Sequence, residues 1–145
     1  MQIRAPQADD REEWGRLYSG YAAFYKVAQT DAMQDRVWGW IHDPAHEVRC
    51  LVAEEAGALI GLAHFRPFAR PLSASTGGFL DDLFVDPAAR GSGAAEALIA
   101  AVKAEGQARG WSVIRWITAE DNYRARGLYD QMAERTRWVT YDIKI

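Results

Sequence analysis

Residues 79–95 read FLDDLFVDPAARGSGAA, and this stretch decides the fold. An apolar strand that carries Asp81 and Asp82 stops at Pro87, and residues 90–95, RGSGAA, lead at once into an alanine-rich helical pattern. Glycines between a strand and a helix N-terminus let backbone N–H groups converge on an anion, which the helix dipole also favours. The turn is therefore a candidate phosphate site, although two glycines alone fit an ordinary strand–turn–helix about as well.

Hydrophobic periodicity predicts the elements around this stretch. The predicted strands are 2–5, 48–55, 59–66, 79–85, 111–118 and 138–145, and the predicted helices are 9–25, 31–43, 92–110 and 121–133. A helix that connects the fourth strand to the fifth predicts that these two strands run parallel with a right-handed crossover. The element order predicts a mixed α/β fold, and the length predicts a single domain over residues 1–145.

Composition limits the classes of function. A net charge of −3 and the absence of a Lys/Arg run argue against nucleic-acid binding. The single cysteine, Cys50, predicts a reducing cytoplasm. The charged N-terminal residues predict no signal peptide, and no apolar run approaches the ~18 residues of a membrane span. His42 and His46 stand at helical spacing, but Pro44 interrupts the helix, so no metal site is predicted.

Two motifs resemble the GNAT superfamily of N-acetyltransferases. Arg90-x-x-Gly93-x-Ala95 resembles the Arg/Gln-x-x-Gly-x-Gly/Ala signature whose loop binds the pyrophosphate of acetyl-CoA. It lacks the Gly-Lys-Ser/Thr ending of a Walker loop and the Gly-x-Gly-x-x-Gly spacing of a dinucleotide fingerprint. Residues 118–129, TAEDNYRARGLY, resemble the Asn-x-x-Ala-x-x-Leu/Phe-Tyr motif that follows. The resemblance covers residues 46–134 well and is nearest to the histone and polyamine acetyltransferase subgroup.

The resemblance implies a GNAT fold with flanking helices, in which the fourth and fifth strands splay apart. Acetyl-CoA is the implied cosubstrate, with its pantetheine arm between the two strands, and no metal is implied. The implied cofactor-binding residues are Leu83, Phe84, Val85, Arg90, Gly91, Ser92, Gly93, Ala94, Ala95, Glu96, Asn122, Ala125 and Tyr129.

Acetyl transfer to an amine needs a neutral amine, a donor for the oxyanion and a proton for the leaving thiolate. Tyr129 shares a helical face with Ala125, Leu128 and Met132, which alone fits a core aromatic, but the resemblance implies that its phenol protonates the thiolate. Asn122 fits a helix N-cap, and the resemblance adds a hydrogen bond to the cofactor arm.

Asp81 and Asp82 are adjacent on a strand, so their side chains are expected on opposite faces unless a β-bulge intervenes. One is expected to be solvated and the other to cap a backbone group, or the pair serves the acceptor site. The resemblance implies that Asp81 binds the acceptor ammonium and relays its proton, with Asp82 as the weaker candidate. Aromatic residues of the first helices, Tyr25 among them, are expected in the core or at the acceptor wall.

The sequence thus predicts a cytoplasmic acetyltransferase that acts on a small cationic primary amine or a polyamine by direct attack. A protein-lysine or N-terminal acetyltransferase and a non-catalytic CoA-binding module remain alternatives. Residues 138–145, WVTYDIKI, alternate apolar and polar side chains and predict an exposed terminal strand. Because such an edge tends to pair with another chain, a homodimer or higher homo-oligomer is expected.

Overall fold

Five strands form one sheet in the order β1-β2-β3-β4-β5 in the computed structural model, which describes all 145 residues. The strands are β1 Gln2–Arg4, β2 Arg49–Glu55, β3 Ala58–Arg70, β4 Ser75–Val85 and β5 Ile114–Arg115. The helices are α1 Arg11–Phe24, α2 Asp31–His42, α3 Ala94–Arg109 and α4 Tyr123–Met132. None of the four helices combines the length and the apolar character that crossing a membrane requires.

The first four strands are antiparallel to their neighbours, whereas β4 and β5 are parallel. The parallel pair follows from the α3 crossover, as the sequence predicts. Glycines with positive φ close the local turns, with φ of 80° at Gly57 between β2 and β3 and 74° at Gly110 after α3. The predicted mixed α/β fold is therefore confirmed.

The sheet buries a different apolar cluster on each face. On one face, α3 packs Leu98 and Val102 against strand residues such as Phe65 and Leu80. On the other face, α1 buries Trp14 and Leu17 against the sheet. Successive strand residues alternate between these clusters, as the period of two in a β-strand requires. The sheet is thus covered on both faces.

The parallel pairing between β4 and β5 covers only two positions, Gly78 opposite Ile114 and Phe79 opposite Arg115. Beyond them β4 continues to Val85 without β5 beside it. The expected strand over 111–118 is therefore longer than the two residues that pair. The splay leaves residues 116–118 with no strand to join.

A β-bulge interrupts the β3–β4 ladder. His64 pairs with Asp82, but the next residue, Phe65, pairs with Leu80, so Asp81 is the extra residue. Asp81 contacts Arg66, and Arg66 lies two residues beyond His64 on the same face of β3. Both carboxylates therefore lie on the face that carries α1. The expectation of opposite faces is wrong, because a bulge turns an extra side chain to the same side.

The expected terminal strand is absent from the chain's own sheet. Residues 134–145 belong to no helix or strand and make no hydrogen bond, either backbone or side-chain, within the chain. The apolar side chains of Trp138, Val139, Tyr141, Ile143 and Ile145 are all exposed. The segment has the residue types of a strand but lacks a partner strand in its own chain.

Candidate active site

A cavity of about 450 Å³ lies where β4 leaves the sheet edge and α3 begins. Its walls are the end of β4, the glycine turn, the first turns of α4 and the C-terminal part of α1. Every residue that the resemblance implies for cofactor binding lines this cavity, and so does Tyr25. The splay of the strands and the glycine turn thus open onto the same space.

The glycine turn presents unused backbone donors at the start of α3. Gly91 and Gly93 have φ of 82° and 81°, a region that side chains with a Cβ rarely adopt. A Cβ at either position would meet no atom within 4 Å, so the space in front of the turn is open. The N–H groups of Gly91, Gly93, Ala95 and Glu96 donate to no acceptor in the chain. Four free donors at a helix N-terminus fit an anionic group.

Two side chains hold this turn in shape. Asp86, at the end of β4, accepts a hydrogen bond of 3.0 Å from the Ala88 N–H and an ion pair of 3.0 Å from Arg16 of α1. These contacts hold the pKa of Asp86 below its usual value. The Ser92 hydroxyl accepts from the Ala94 N–H at 3.3 Å, which stiffens the last step into α3. The turn is therefore fixed from both ends.

Tyr129 stands between the cavity and the interior. Its ring packs edge-on against Trp116 with centroids 5.4 Å apart, and its hydroxyl has no hydrogen-bond partner within the chain. Burial, with a smaller contribution from the neighbouring Tyr25, raises the pKa of Tyr129 to about 12. The phenol therefore keeps its proton throughout the neutral and moderately alkaline range.

Asn122 occupies the N-cap position of α4, as the sequence predicts, but its side chain does not cap the helix. Instead, its Nδ2 donates to Thr118 Oγ1 at 3.2 Å. This bond ties the first turn of α4 to the segment after β5 and leaves the carboxamide oxygen without a partner in the chain. That oxygen remains available to a donor in the cavity.

Asp82 is an anion held by two donors. It accepts from Tyr18 at 2.8 Å and from His64 Nδ1 at 2.9 Å. Burial raises the pKa of Asp82, but the hydrogen bonds outweigh burial and hold its pKa below the usual value. Burial, together with the same carboxylate, keeps the pKa of Tyr18 well above its ordinary value.

His64 lies fully inside the protein between Asp82 and Trp14. The Trp14 indole N–H donates to His64 Nε2 at 3.0 Å, so that nitrogen is an acceptor and the ring proton lies on Nδ1. Burial lowers the pKa of His64, but Cys50 and Asp82 outweigh burial and raise that pKa above its ordinary value, which favours a charged ring. The geometry at Nε2 argues the other way and decides here, because it leaves no acceptor for a second ring proton. A second ring proton would face the indole N–H, so the geometry favours a neutral imidazole that donates to Asp82.

Asp81 has a single charged partner and is partly exposed to solvent. Arg66 Nε contacts its two oxygens at 3.1 and 3.2 Å, and about 30% of the Asp81 side chain is exposed. Burial raises the pKa of Asp81, and the nearby guanidinium offsets only part of that rise. Neither Asp81 nor Asp82 lines the cavity. Tyr21 does, and its hydroxyl lies 3.5 Å from the Asp81 carbonyl oxygen, so it joins the cavity to the carboxylate pair.

Sequence reasoning missed several of these residues. Arg124 and Leu128 also line the cavity, and His64 and Arg66 bind the carboxylates. The alternation of side chains along β3 could have pointed to His64 and Arg66, because it places both residues on one face of the strand. That signal is usable only with the register of β3 against β4, which a single sequence does not give.

Comparison with known proteins identifies the family. The profile of the Acetyltransferase (GNAT) family matches residues 14–133, which include the glycine turn and Tyr129. The chain belongs to the GNAT acetyltransferase family. It is accordingly an acetyl-CoA-dependent N-acetyltransferase. The finer resemblance to the histone and polyamine subgroup stays a prediction.

This GNAT protein is similar to two curated relatives and to one solved structure. The D-amino-acid N-acetyltransferase HPA3 of Saccharomyces cerevisiae is 27% identical over 141 residues, which are 96% of this chain and 88% of that protein. The uncharacterized N-acetyltransferase YhfO of Bacillus subtilis is 31% identical over 147 residues, with 100% and 98% covered. The ribosomal-protein-alanine N-acetyltransferase of Brucella melitensis biovar Abortus 2308 superposes with a TM-score of 0.82, 26% identity and full coverage of both chains.

The different environments of the two aspartates predict opposite pH dependences of stability. A carboxyl whose pKa is lowered by folding stabilises the protein above its unfolded pKa, and one whose pKa is raised destabilises it there. Asp82→Asn should therefore lose stability relative to wild type as pH rises from about 3 to about 6, around the ordinary Asp pKa of ~3.9. Asp81→Asn should gain stability relative to wild type over the same range.

Urea unfolding at each pH measures both differences, and each variant serves as the control for the other. Equal pH slopes for the two variants would contradict the distinction between the two carboxylates.

Proposed function

We propose that the cavity binds acetyl-CoA and that the protein transfers the acetyl group to a small primary amine. One observation carries this proposal. A single cavity brings together a helix N-terminus with unused donors, the free edge of a splayed strand and a protonated tyrosine. Acetyl-CoA brings the acetyl group to such a site as a thioester. The three features match the three parts of that molecule: pyrophosphate, pantetheine amides and sulfur.

The glycine turn, residues 90–96, is proposed to bind the pyrophosphate. Its four free N–H groups and the dipole of α3 favour negative charge at this point. Arg90 and Arg124 line the same cavity and add two positive charges near the turn. The number of N–H donors and the positive charge of the residues present therefore both fit a phosphate group.

The edge of β4 is proposed to bind the pantetheine arm. Pairing with β5 ends at Phe79, so the backbone of Leu83, Phe84 and Val85 has no strand on that side. Amide groups in an extended chain can add to such an edge by ordinary ladder hydrogen bonds. The Asn122 carboxamide oxygen across the cavity offers one further acceptor.

Tyr129 is proposed to donate a proton to the leaving thiolate. A pKa of about 12 means that the group holds its proton at every pH at which the protein is expected to work. Its lack of a partner in the chain leaves the hydroxyl free to donate. The packing against Trp116 restricts the ring, which favours one direction of donation.

Asp81, Asp82 and Tyr25 are proposed to serve the acceptor amine. A cationic amine is attracted by the two carboxylates, of which Asp82 remains ionised. Asp81, with its raised pKa and partial exposure, is the better candidate to take up the amine proton and pass it to solvent. Tyr21 and Tyr25 pack edge-on at 5.0 Å and form an aromatic wall for the amine's apolar part.

A free amino acid is a second candidate acceptor, which one contact favours. Arg66 uses only Nε toward Asp81, and its guanidinium lies over the Phe79 ring, so its terminal nitrogens have no hydrogen-bond partner within the chain. A guanidinium beside a carboxylate pair suits a ligand that carries both an amine and a carboxylate. The D-amino-acid specificity in the name of the yeast relative agrees with this candidate.

Gly93→Glu should abolish acetyl-CoA binding, because the new carboxylate would occupy the open space before the turn and repel phosphate. Gly57→Glu is a matched control: Gly57 has φ of 80°, against 81° at Gly93, and its Cβ would also meet nothing within 4 Å. Backbone strain is therefore equal in the two variants. Calorimetry should detect binding only in the control and in wild type. Unchanged affinity in Gly93→Glu would contradict the assignment of the turn.

Tyr129→Phe should lower kcat by about 100-fold or more, while affinity for acetyl-CoA stays similar, since general-acid catalysis is lost. Tyr123→Phe in the same helix is the control, because that side chain is 75% exposed. Stopped-flow measurement of thiol release isolates the chemical step. Because the pKa of Tyr129 is about 12, wild-type kcat should not fall up to about pH 10. A single-turnover rate that survives in Tyr129→Phe would exclude the acid role.

Thiol release across a panel of polyamines, amino acids of both configurations and a lysine peptide identifies the acceptor class. A cationic amine as best substrate, with a higher KM and a weaker salt dependence in Asp81→Asn, supports the amine proposal. A free amino acid as best substrate, with a KM that rises in Arg66→Gln, supports the second candidate. Preference for the lysine peptide would contradict both, and no turnover with bound acetyl-CoA would indicate a CoA-binding module.

A further inference from the structure

The hydroxyl of Tyr21 lies between the cavity and the two carboxylates of the proposed acceptor site. Neither Asp81 nor Asp82 lines the cavity, whereas Tyr21, near the end of α1, does. Its hydroxyl lies 3.5 Å from the Asp81 carbonyl oxygen. A proton that moves from a ligand in the cavity to these carboxylates therefore needs an intermediate group, and the Tyr21 hydroxyl stands at the required position.

This hydroxyl is free to accept a hydrogen bond from a ligand. Its one contact within the chain is the donation to Asp81, and at 3.5 Å that contact is longer than an ordinary O–H···O bond of about 2.5–3.0 Å. No group of the chain donates to the phenol oxygen. Because a phenol can accept and donate at the same time, Tyr21 can bind an ammonium on one side while its own proton points toward the carboxylates.

The ring of Tyr21 is held in place by its aromatic neighbours. It packs edge-on against Tyr25 with centroids 5.0 Å apart and against Phe84 at 6.2 Å, and it stacks on Tyr18 at 6.2 Å. A Cβ on Gly20 would lie 2.9 Å from the Phe84 ring, so this glycine lets α1 approach the end of β4 closely. The packing thus fixes the direction from which the hydroxyl meets a ligand.

Tyr21 and Tyr129 are both protonated phenols on the cavity wall. Burial, helped by the charge of Asp82, raises the pKa of Tyr21 well above its ordinary value. Such a phenol does not act as a base by itself, but it can accept one proton while it gives up another. Tyr25 contributes to the raised pKa of both phenols, so it lies near each of them. The amine and the thioester therefore each have a phenol within one shared cavity.

We propose that Tyr21 is a further catalytic residue, which relays a proton from the acceptor ammonium to the carboxylate pair. The inference rests on the proposed transfer of an acetyl group to an amine. One N–H bond of the ammonium breaks and its proton binds to the phenol oxygen. At the same time the phenol O–H bond breaks, and that proton passes, directly or through one water, to the pair. Asp81, about 30% exposed, takes it up and releases it to solvent.

This relay leaves Tyr21 uncharged at the end, as it was at the start. The nitrogen recovers the lone pair with which it attacks the thioester carbonyl. The same step serves an amine and the ammonium of a free amino acid, so it does not depend on which acceptor the protein uses.

Tyr21→Phe tests the relay, because it keeps the ring and removes only the hydroxyl. The probe is the amine that ranks first in the acceptor panel described above. At pH 7 the variant should lose about 100-fold or more in kcat/KM for this amine, with unchanged acetyl-CoA affinity by calorimetry. Without the relay only the neutral amine reacts, so the variant's kcat/KM should rise about tenfold per pH unit toward the pKa of the amine, about 10 for an alkylammonium. Wild type should stay nearly flat from pH 7 to 9.

Tyr25→Phe is the matched control, since it removes a hydroxyl from a neighbouring ring of the same wall. It should keep the flat pH profile of wild type, whatever it does to KM. A loss in Tyr21→Phe that is equal at every pH would overturn the relay in favour of a packing role, and so would an unchanged kcat/KM. Either result would leave the proposed acetyl transfer standing. A wild-type protein that binds acetyl-CoA but acetylates no amine of the panel would overturn both proposals.

Discussion

Gly78 and Ile114 join β4 to β5 at the point where the two strands begin to diverge, and the cavity depends on this fork. A Cβ on Gly78 would overlap the rings of Trp111 and the side chain of Ile114, so only glycine allows the strands to meet there. Gly106 of α3 lies against the same two side chains, which fixes the helix over the fork. Since pairing stops after Phe79, every later residue of β4 keeps a free edge. The fork thus creates the space without any loop having to open.

The fork also explains why a tyrosine of α4 contacts two separate spaces. Beyond the pairing, β5 and α4 turn away from β4. The cavity lies on one side, and on the other side lies a groove between residues 113–118 and the start of the C-terminal segment. Tyr129 lines both, and Trp116 packs against its ring. One side of α4 therefore borders the cavity, and the other side borders the groove.

Local chemistry made part of this structure predictable from sequence. The glycine turn at 90–96, the α3 crossover and the Asn122 to Tyr129 helix all arise from residues close together in the chain, and each lies where it was predicted. The bulge at Asp81 was only an open alternative, because it depends on the register of β4 against His64 and Phe65 of another strand. Strand propensity placed a strand at 138–145, but propensity does not say whether the same chain supplies a partner.

The two adjacent aspartates show how the bulge divides one sequence feature into two chemical environments. A buried carboxylate is stable as an anion only when donors replace water, and Asp82 has them in Tyr18 and His64. Trp14 completes this arrangement, because its N–H occupies His64 Nε2 and so directs the imidazole proton toward Asp82. Asp81 has one partly exposed partner and a raised pKa, so it is the member that can change protonation. In the acceptor role proposed above, the fixed charge of Asp82 would attract an ammonium, and Asp81 would be the group to take up the proton that the amine must lose before it attacks.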